Sequence, residues 1–406
     1  MHTKVTVEPL IDDEYRGEPP TKRVLAYLQA QREEGAKIVG IYCGYAPVEL
    51  IRAFDLVPAS LCAFSNATIE AAEAHLPANL CPLIKSSYGY ILKDVCPFFA
   101  MSDAVIAETT CDGKKKMFEL IADRKSMHVM DLPQLPDEPE ALDNWTAMIH
   151  KLRRFLESVF DRTATDDQIE GAIKLANERT RWVNRIFDYT ALDPPVIAWP
   201  ELNEALFLAQ SASSEDMASI LDGVVKKLEK RKRDGFVYGP TGAPRVMVTG
   251  CPVGGDALKV LDTIEKAGGV IVALESCSGS KPYAEFIEED TGDPIRAIAA
   301  RYLKIPCACM TPNTRRFIEI DRLIQRFKPD AVVDVVLQAC HGFNIESVRV
   351  GEHVQQKHGL PFLKILTDFS QSDVGQIRTR VEALLETVPV RQACDEAFHR
   401  CKEEKT

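Results

Sequence analysis

Five short apolar runs in this chain each end in a cysteine at a turn that leads into a helical segment, and this recurrence restricts the fold more than any other feature. Cys43 follows Ile38 to Tyr42, Cys111 follows Ala104 to Ala107, Cys251 follows Val246 to Val248, Cys277 follows Val270 to Leu274, and Cys340 follows Ala331 to Leu337. Strands covered on both faces read as such runs, and their alternation with helices gives a parallel sheet. Turns at the carboxyl edge of an open α/β sheet hold its ligands. Cysteines gathered there point to buried thiolate ligands.

The second half of the chain repeats the plan of the first. Ser102-Asp103-Ala104-Val105-Ile106 leads to Cys111, and Pro329-Asp330-Ala331-Val332-Val333 leads to Cys340, eight and ten residues after the aspartate. Cys81 and Cys307 stand at similar distances upstream of those aspartates, and Cys43 and Cys251 each close the opening strand of a unit. The expected fold is therefore α/β, with two Rossmann-like open parallel-sheet domains related by a pseudo-twofold repeat, joined by a helical segment, and with the ligand site at the domain interface. The expected boundaries are an arm at 1–21, a first α/β domain at 22–139, a helical connector at 140–242, a second α/β domain at 243–390 and a tail at 391–406. The connector is read from apolar residues three and four apart: Trp145, Met148, Ile149, Leu152, Phe155 and Leu156.

Met1 to Pro20 carries no apolar leader, and no uninterrupted apolar stretch approaches the roughly 18 residues of a membrane span. A cytoplasmic protein is expected, in which the 12 cysteines do not form lasting disulfides. A formal net charge of −11 argues against a nucleic-acid surface and leaves small molecules and proteins as partners. Zinc sites use close pairs such as Cys-x2-Cys, yet only Cys307-Ala308-Cys309 is close. The tight runs of ferredoxins are lacking too. Ligands taken one per loop from two domains suit a cluster clamped between them. Cys62, Cys96 and Cys309, and Cys394 and Cys401 near the C-terminus, read as small hydrophobes or surface residues.

Four segments carry a specific resemblance. Asn79-Leu80-Cys81-Pro82-Leu83-Ile84-Lys85-Ser86-Ser87-Tyr88-Gly89, Glu108-Thr109-Thr110-Cys111-Asp112-Gly113-Lys114-Lys115-Lys116, Tyr42-Cys43-Gly44-Tyr45-Ala46-Pro47-Val48-Glu49 and Gln338-Ala339-Cys340-His341 resemble the 2-hydroxyacyl-CoA dehydratase and benzoyl-CoA reductase family. The resemblance runs from about Val39 to Leu385. It implies a [4Fe–4S] cluster held by Cys81, Cys111 and Cys340. The further cysteines Cys251, Cys277 and Cys307 make the chain more similar to the double-cubane branch of that family. That branch implies a homodimer whose subunits each hold an [8Fe–9S] cluster, two cubanes bridged by sulfide, on six cysteines. The second trio is assigned to Cys43, Cys277 and Cys307, with Cys251 in reserve.

The resemblance further implies single-electron delivery from a separate ATP-hydrolysing iron–sulfur activator to a small-molecule substrate at the cluster. The chain itself has no Gly-x4-Gly-Lys-Ser/Thr run, and Gly250-Cys251-Pro252-Val253-Gly254-Gly255 fails the dinucleotide spacing. The alternative is a dehydratase or reductase subunit with one [4Fe–4S] cluster acting on an acyl-CoA, and a third is an iron and sulfur storage or assembly protein. Among other residues, His341 is a candidate proton or hydrogen-bond donor beside Cys340, set against a loop-positioning role. Lys85, Ser86 and Ser87 either bond cluster sulfide or serve the helix start. Lys114 to Lys116 either dock an acidic partner or solvate a helix. Arg315 and Arg316 are candidates to balance cluster charge, and Glu49 is expected to close a helix turn behind Pro47.

Overall fold

The computed structural model describes residues 20–211, 214–240 and 242–403. Residues 1–19, most of the expected arm, lie outside the described residues, as do the side chains of Cys394 and Cys401. Eight strands form two sheets. The first contains β1 (Lys37–Ile41), β2 (Leu56–Ser60), β3 (Ala104–Glu108) and β4 (Met127–Met130); the second contains β5 (Arg245–Gly250), β6 (Val270–Glu275), β7 (Ala331–Leu337) and β8 (Phe362–Thr367). Their orders are β2-β1-β3-β4 and β6-β5-β7-β8, with every pairing parallel. Strands β3, β5, β6 and β7 are buried along their whole length, as their largely apolar runs require, with Asp334 in the middle of β7 the exception that Arg316 neutralises.

The two sheets thus share one winding order, with a reversal between β1 and β3 in one and between β5 and β7 in the other. The repeated aspartates also do the same work in both. The Asp103 backbone N–H donates to the Ile38 carbonyl, and its carboxylate accepts from the Ile38 N–H at 2.9 Å. Asp330 makes the same pair of bonds with Arg245, again with 2.9 Å to the carboxylate. Each aspartate fixes the start of the second central strand beside the start of the first, so the cysteines at their far ends arrive together.

Between the sheets lie four helices, Ala141–Phe160, Asp166–Thr190, Trp199–Ser211 and Ser214–Arg233. Thr165 and Gln168 close a capping box that starts the second of these. That helix reaches both halves: Asn177 donates to the Ile287 carbonyl at 2.7 Å, and Arg179 lies 3.9 Å from Glu49. Glu49 sits in the first turn of its own short helix but is buried and accepts a 2.8 Å hydrogen bond from the Tyr302 hydroxyl. Tyr45 likewise donates to the Ile305 carbonyl at 3.1 Å. A long C-terminal helix, Val374–Glu403, packs its first turns on the second sheet and runs through the segment expected as a tail. Among the described residues no helix is long and apolar enough to cross a membrane.

Gly250 ends β5 at φ +111°, and a Cβ there would stand 2.2 Å from the Val335 carbonyl oxygen and 2.6 Å from Asp334 Oδ1. The next residue, Cys251, bonds the same carbonyl through its N–H at 2.8 Å. Gly250→Ala is expected to lower stability by about 2 kcal/mol or more, since both space and dihedral oppose it. Denaturant unfolding with an unchanged midpoint would show that β5 and β7 tolerate a side chain there.

Candidate metal centre

The reversal points between β1 and β3 and between β5 and β7 are flanked by Cys43, Cys111, Cys251 and Cys340, one after each strand. Three cysteines share a local geometry. Cys81, Cys111 and Cys340 are the N-cap residues of helices Pro82–Leu92, Asp112–Ala122 and His341–His358, and none of the three spends its sulfur on a capping bond. The N–H groups of Leu83 and Ile84 face the Cys81 sulfur, that of Lys114 faces Cys111 and that of Phe343 faces Cys340, each favouring thiolate.

The six cysteines expected as ligands fall into two neighbouring groups that together outline a thiol chamber. Cys81 and Cys340 are hydrogen-bonded neighbours, and Cys111 is within electrostatic reach of Cys81. Cys43, Cys277 and Cys307 form a second group within reach of one another. The groups meet where Cys111 faces Cys307. Cys251 adjoins Cys340 from the core side, is 1% exposed, and accepts the Leu337 N–H at 3.4 Å. Cys111 is exposed, unlike the other five.

Among the described residues no three cysteine sulfurs lie within the 4.8 Å that a shared single ion requires. A cubane bonds each thiolate to a different iron and spaces them more widely. Burial pushes the thiol of Cys43 up and that of Cys277 to about 11. The hydrogen bond with Cys340, then burial, raises Cys81, and the bond with Cys251 raises Cys340. Cys307 moves the other way, because its interaction with the neighbouring Cys309 thiol, and then Lys281, favours its thiolate. Binding a metal group must therefore release protons from most of these thiols.

Two cations face the chamber. Lys114 turns inward, with Nζ 3.3 Å from the Tyr42 carbonyl, whereas Lys115 and Lys116 are exposed and paired with Asp112 and Glu119 at 2.6 and 2.5 Å. Burial opposes the Lys114 charge, but Cys43, Cys62, Cys111 and Glu108 around it raise its pKa. Lys281 is buried 2.8 Å from Glu275 and within reach of Cys277 and Cys307. Arg315 and Arg316 separate in the same manner. Arg315 pairs outward with Asp137 at 2.6 Å, while the fully buried Arg316 is shared among Glu275, Asp334 and Glu346.

Other expected residues have the following surroundings. His341 is exposed at the first helical position after Cys340 and makes no hydrogen bond among the described residues. Lys85 is taken up by Glu73 and the Ala78 carbonyl, both at 2.7 Å. Ser86 and Ser87 bond the backbone of Ser65 and Ala63, fastening the loop beyond β2 rather than facing sulfur. Cys309, read as a packing residue, does pack against a hydrophobic core and also adjoins Cys307. Glu108 opens the segment that leads to Cys111 but has no expected role, although an acid closing an otherwise apolar strand run is out of place in a core. It is 0% exposed, and neither carboxylate oxygen has a hydrogen-bond partner among the described residues.

The profile of the 2-hydroxyglutaryl-CoA dehydratase D-component family matches residues 43–388, which span all of these cysteines up to Cys340. The chain belongs to this family. It is 40% identical over 356 residues, 87% of this chain and 92% of the relative, to YjiM of Escherichia coli (strain K12), assigned only provisionally as a dehydratase subunit. It is 21% identical to the (R)-phenyllactyl-CoA dehydratase beta subunit of Clostridium sporogenes, covering 91% of this chain and 96% of that one. It is 22% identical to one of the benzoyl-CoA reductase subunits of Thauera aromatica, covering 62% and 61%. The dehydratase D-component family thus includes this chamber within its matched span. Its donor set fits an iron–sulfur group: sulfurs free of capping bonds at three helix N-termini, with lysines turned toward them.

Burial raises the pKa of Glu108 to about 8, against the opposing pull of Lys114. The folded state therefore keeps a proton that the unfolded chain releases near pH 4. Its contribution to stability is full below that pH and is lost as pH rises through 8, in total at most about 5 kcal/mol. Glu108→Gln is expected to gain stability on the parent between pH 5 and 8 and to level off above. Parallel thermal unfolding curves with no pH-dependent difference would show that Glu108 is ionised in the fold.

Proposed function

We propose that this chain is an ATP-activated, low-potential iron–sulfur reductase that holds a double-cubane [8Fe–9S] cluster and reduces a small molecule there. The observation that carries this reading is the grouping of the thiols: Cys81, Cys111 and Cys340 on one side, Cys43, Cys277 and Cys307 on the other, joined where Cys111 meets Cys307. Each trio offers three thiolates, the number a cubane with one non-cysteine position takes. The cluster, when bound, supplies single electrons at a potential set by its charge, hydrogen bonding and exposure.

The protein's own contribution is charge and protons. Lys114 and Lys281 offset thiolate charge that the chamber would otherwise bury unpaired. The Cys309 thiol beside Cys307 favours that residue's thiolate form. Glu108 keeps a proton beside Lys114, within reach of Cys43 and Cys62. Nucleotide chemistry belongs to a separate ATP-hydrolysing activator, and the working form is a homodimer in the cytoplasm. The names of the relatives favour a second reading, a single-cluster dehydratase or reductase subunit acting on an acyl-CoA.

Iron and acid-labile sulfide counts on anaerobically prepared protein separate the two, with about eight irons per chain expected against about four. Cys277→Ser and Cys307→Ser are expected to lower the count toward four while Cys251→Ser keeps eight. A parent protein with four irons, or with a cluster signal that shifts on adding acyl-CoA, would favour the second reading. Activator-dependent turnover with ATP is required by both and excludes a storage role.

Lys114→Met is expected to lower the cluster midpoint potential by about 60 mV, tenfold in a one-electron equilibrium, because a nearby positive charge favours the reduced form. Lys115→Met is expected to leave it unchanged. Equal shifts in both variants, read by redox titration, would remove Lys114 from the chamber electrostatics.

A further inference from the structure

Away from the chamber, Asp321, His353 and His358 bring three metal-ligating atoms within 4.8 Å of one another. Asp321 lies on the helix Thr314–Phe327, and both histidines lie on His341–His358. His353 Nε2 is 2.7 Å and His358 Nε2 2.6 Å from the same oxygen, Asp321 Oδ1. Lys357 Nζ holds the other oxygen at 2.6 Å.

The backbone sets this convergence. Gly359, at φ +63°, ends the second helix, with its N–H on the Gln355 carbonyl and the Leu360 N–H returning to Val354. His358, the last helical residue, therefore stands beside His353 from the preceding turn, their rings 5.8 Å apart and nearly perpendicular. Phe317 packs on the other side of His353 at 5.1 Å and limits its rotation. The negative end of the helix dipole lies here, which favours a cation.

The geometry points to a divalent transition-metal site of the zinc class, formed by Asp321 Oδ1, His353 Nε2 and His358 Nε2 and bridging the two helices. Two imidazoles and a carboxylate are borderline donors that suit zinc and cobalt. The donors need to open only to about 3.3 Å, the spacing a tetrahedron gives for bonds of roughly 2.0 Å. The three side chains are 19–27% exposed, so a water completes the fourth position. Lys357, 56% exposed on a long flexible stem, is the competing cation and swings away. An ion there ties the far end of the helix headed by Cys340 to the helix that carries Arg316.

The test is a Co2+ titration of the full-length protein followed by visible absorption, since thiolate ligation gives sulfur-to-metal charge-transfer bands and imidazole ligation does not. The expected result is one equivalent with weak ligand-field bands and no charge transfer, lost in Asp321→Asn, His353→Gln and His358→Gln. Lys357→Met keeps all three donors and is expected to bind severalfold more tightly; it also decides the matter if the other variants fail to fold. Zn2+ is expected to raise the melting temperature of the parent and of Lys357→Met. No uptake outside the thiols in the parent and Lys357→Met, or uptake that His358→Gln and Asp321→Asn retain, would overturn the site and leave a hydrogen-bonded cluster alone.

Discussion

Collecting thiols inside a protein is an electrostatic problem before it is a coordination problem. Several thiolates near one another in a medium of low polarity repel, and without compensation they stay protonated. Most of the chamber thiols do have raised pKa values. The fold answers with fixed dipoles first: three helices begin at Cys81, Cys111 and Cys340, which puts their positive ends beside these sulfurs. Lys114 and Lys281 add mobile charge where the helix starts do not reach.

Those helix starts depend in turn on the winding of the sheets. Neighbouring strands that lead off in opposite directions leave a gap at their carboxyl ends, and the shared order gives each half one such gap. Asp103 and Asp330 set the stagger from the opposite end by pinning the central strands together. Arg316 then neutralises the acids gathered behind the second gap, Glu275 and Asp334 among them, so the floor of the chamber does not add to the thiolate charge above it.

The strands were legible because burial on both faces leaves largely apolar runs, and the duplication was legible because Asp103 and Asp330 keep their places relative to Cys111 and Cys340. Strand order was not, since it depends on crossover direction rather than on residue type. Side-chain direction was the harder limit. Lys114, Lys115 and Lys116 are chemically alike, and only the phase of the helix turns the first inward. His341 adjoins Cys340 in sequence, yet the first residue after an N-cap turns away from the side its predecessor faces. Ser86 and Ser87 have hydroxyls suited to bonding sulfur, but the loop around Ser65 competes for them locally.

Two tyrosines bear on how such a site opens. Tyr45 and Tyr302 stitch the segment before Cys307 to the first half of the chain, through the Ile305 carbonyl and the Glu49 carboxylate. A cysteine encoded in the second half is thus held in place by the first. Parting of the halves would have to break both tyrosine bonds, so the position of Cys307 relative to Cys43 is tied to the contact between the two sheets' surroundings rather than to either half alone.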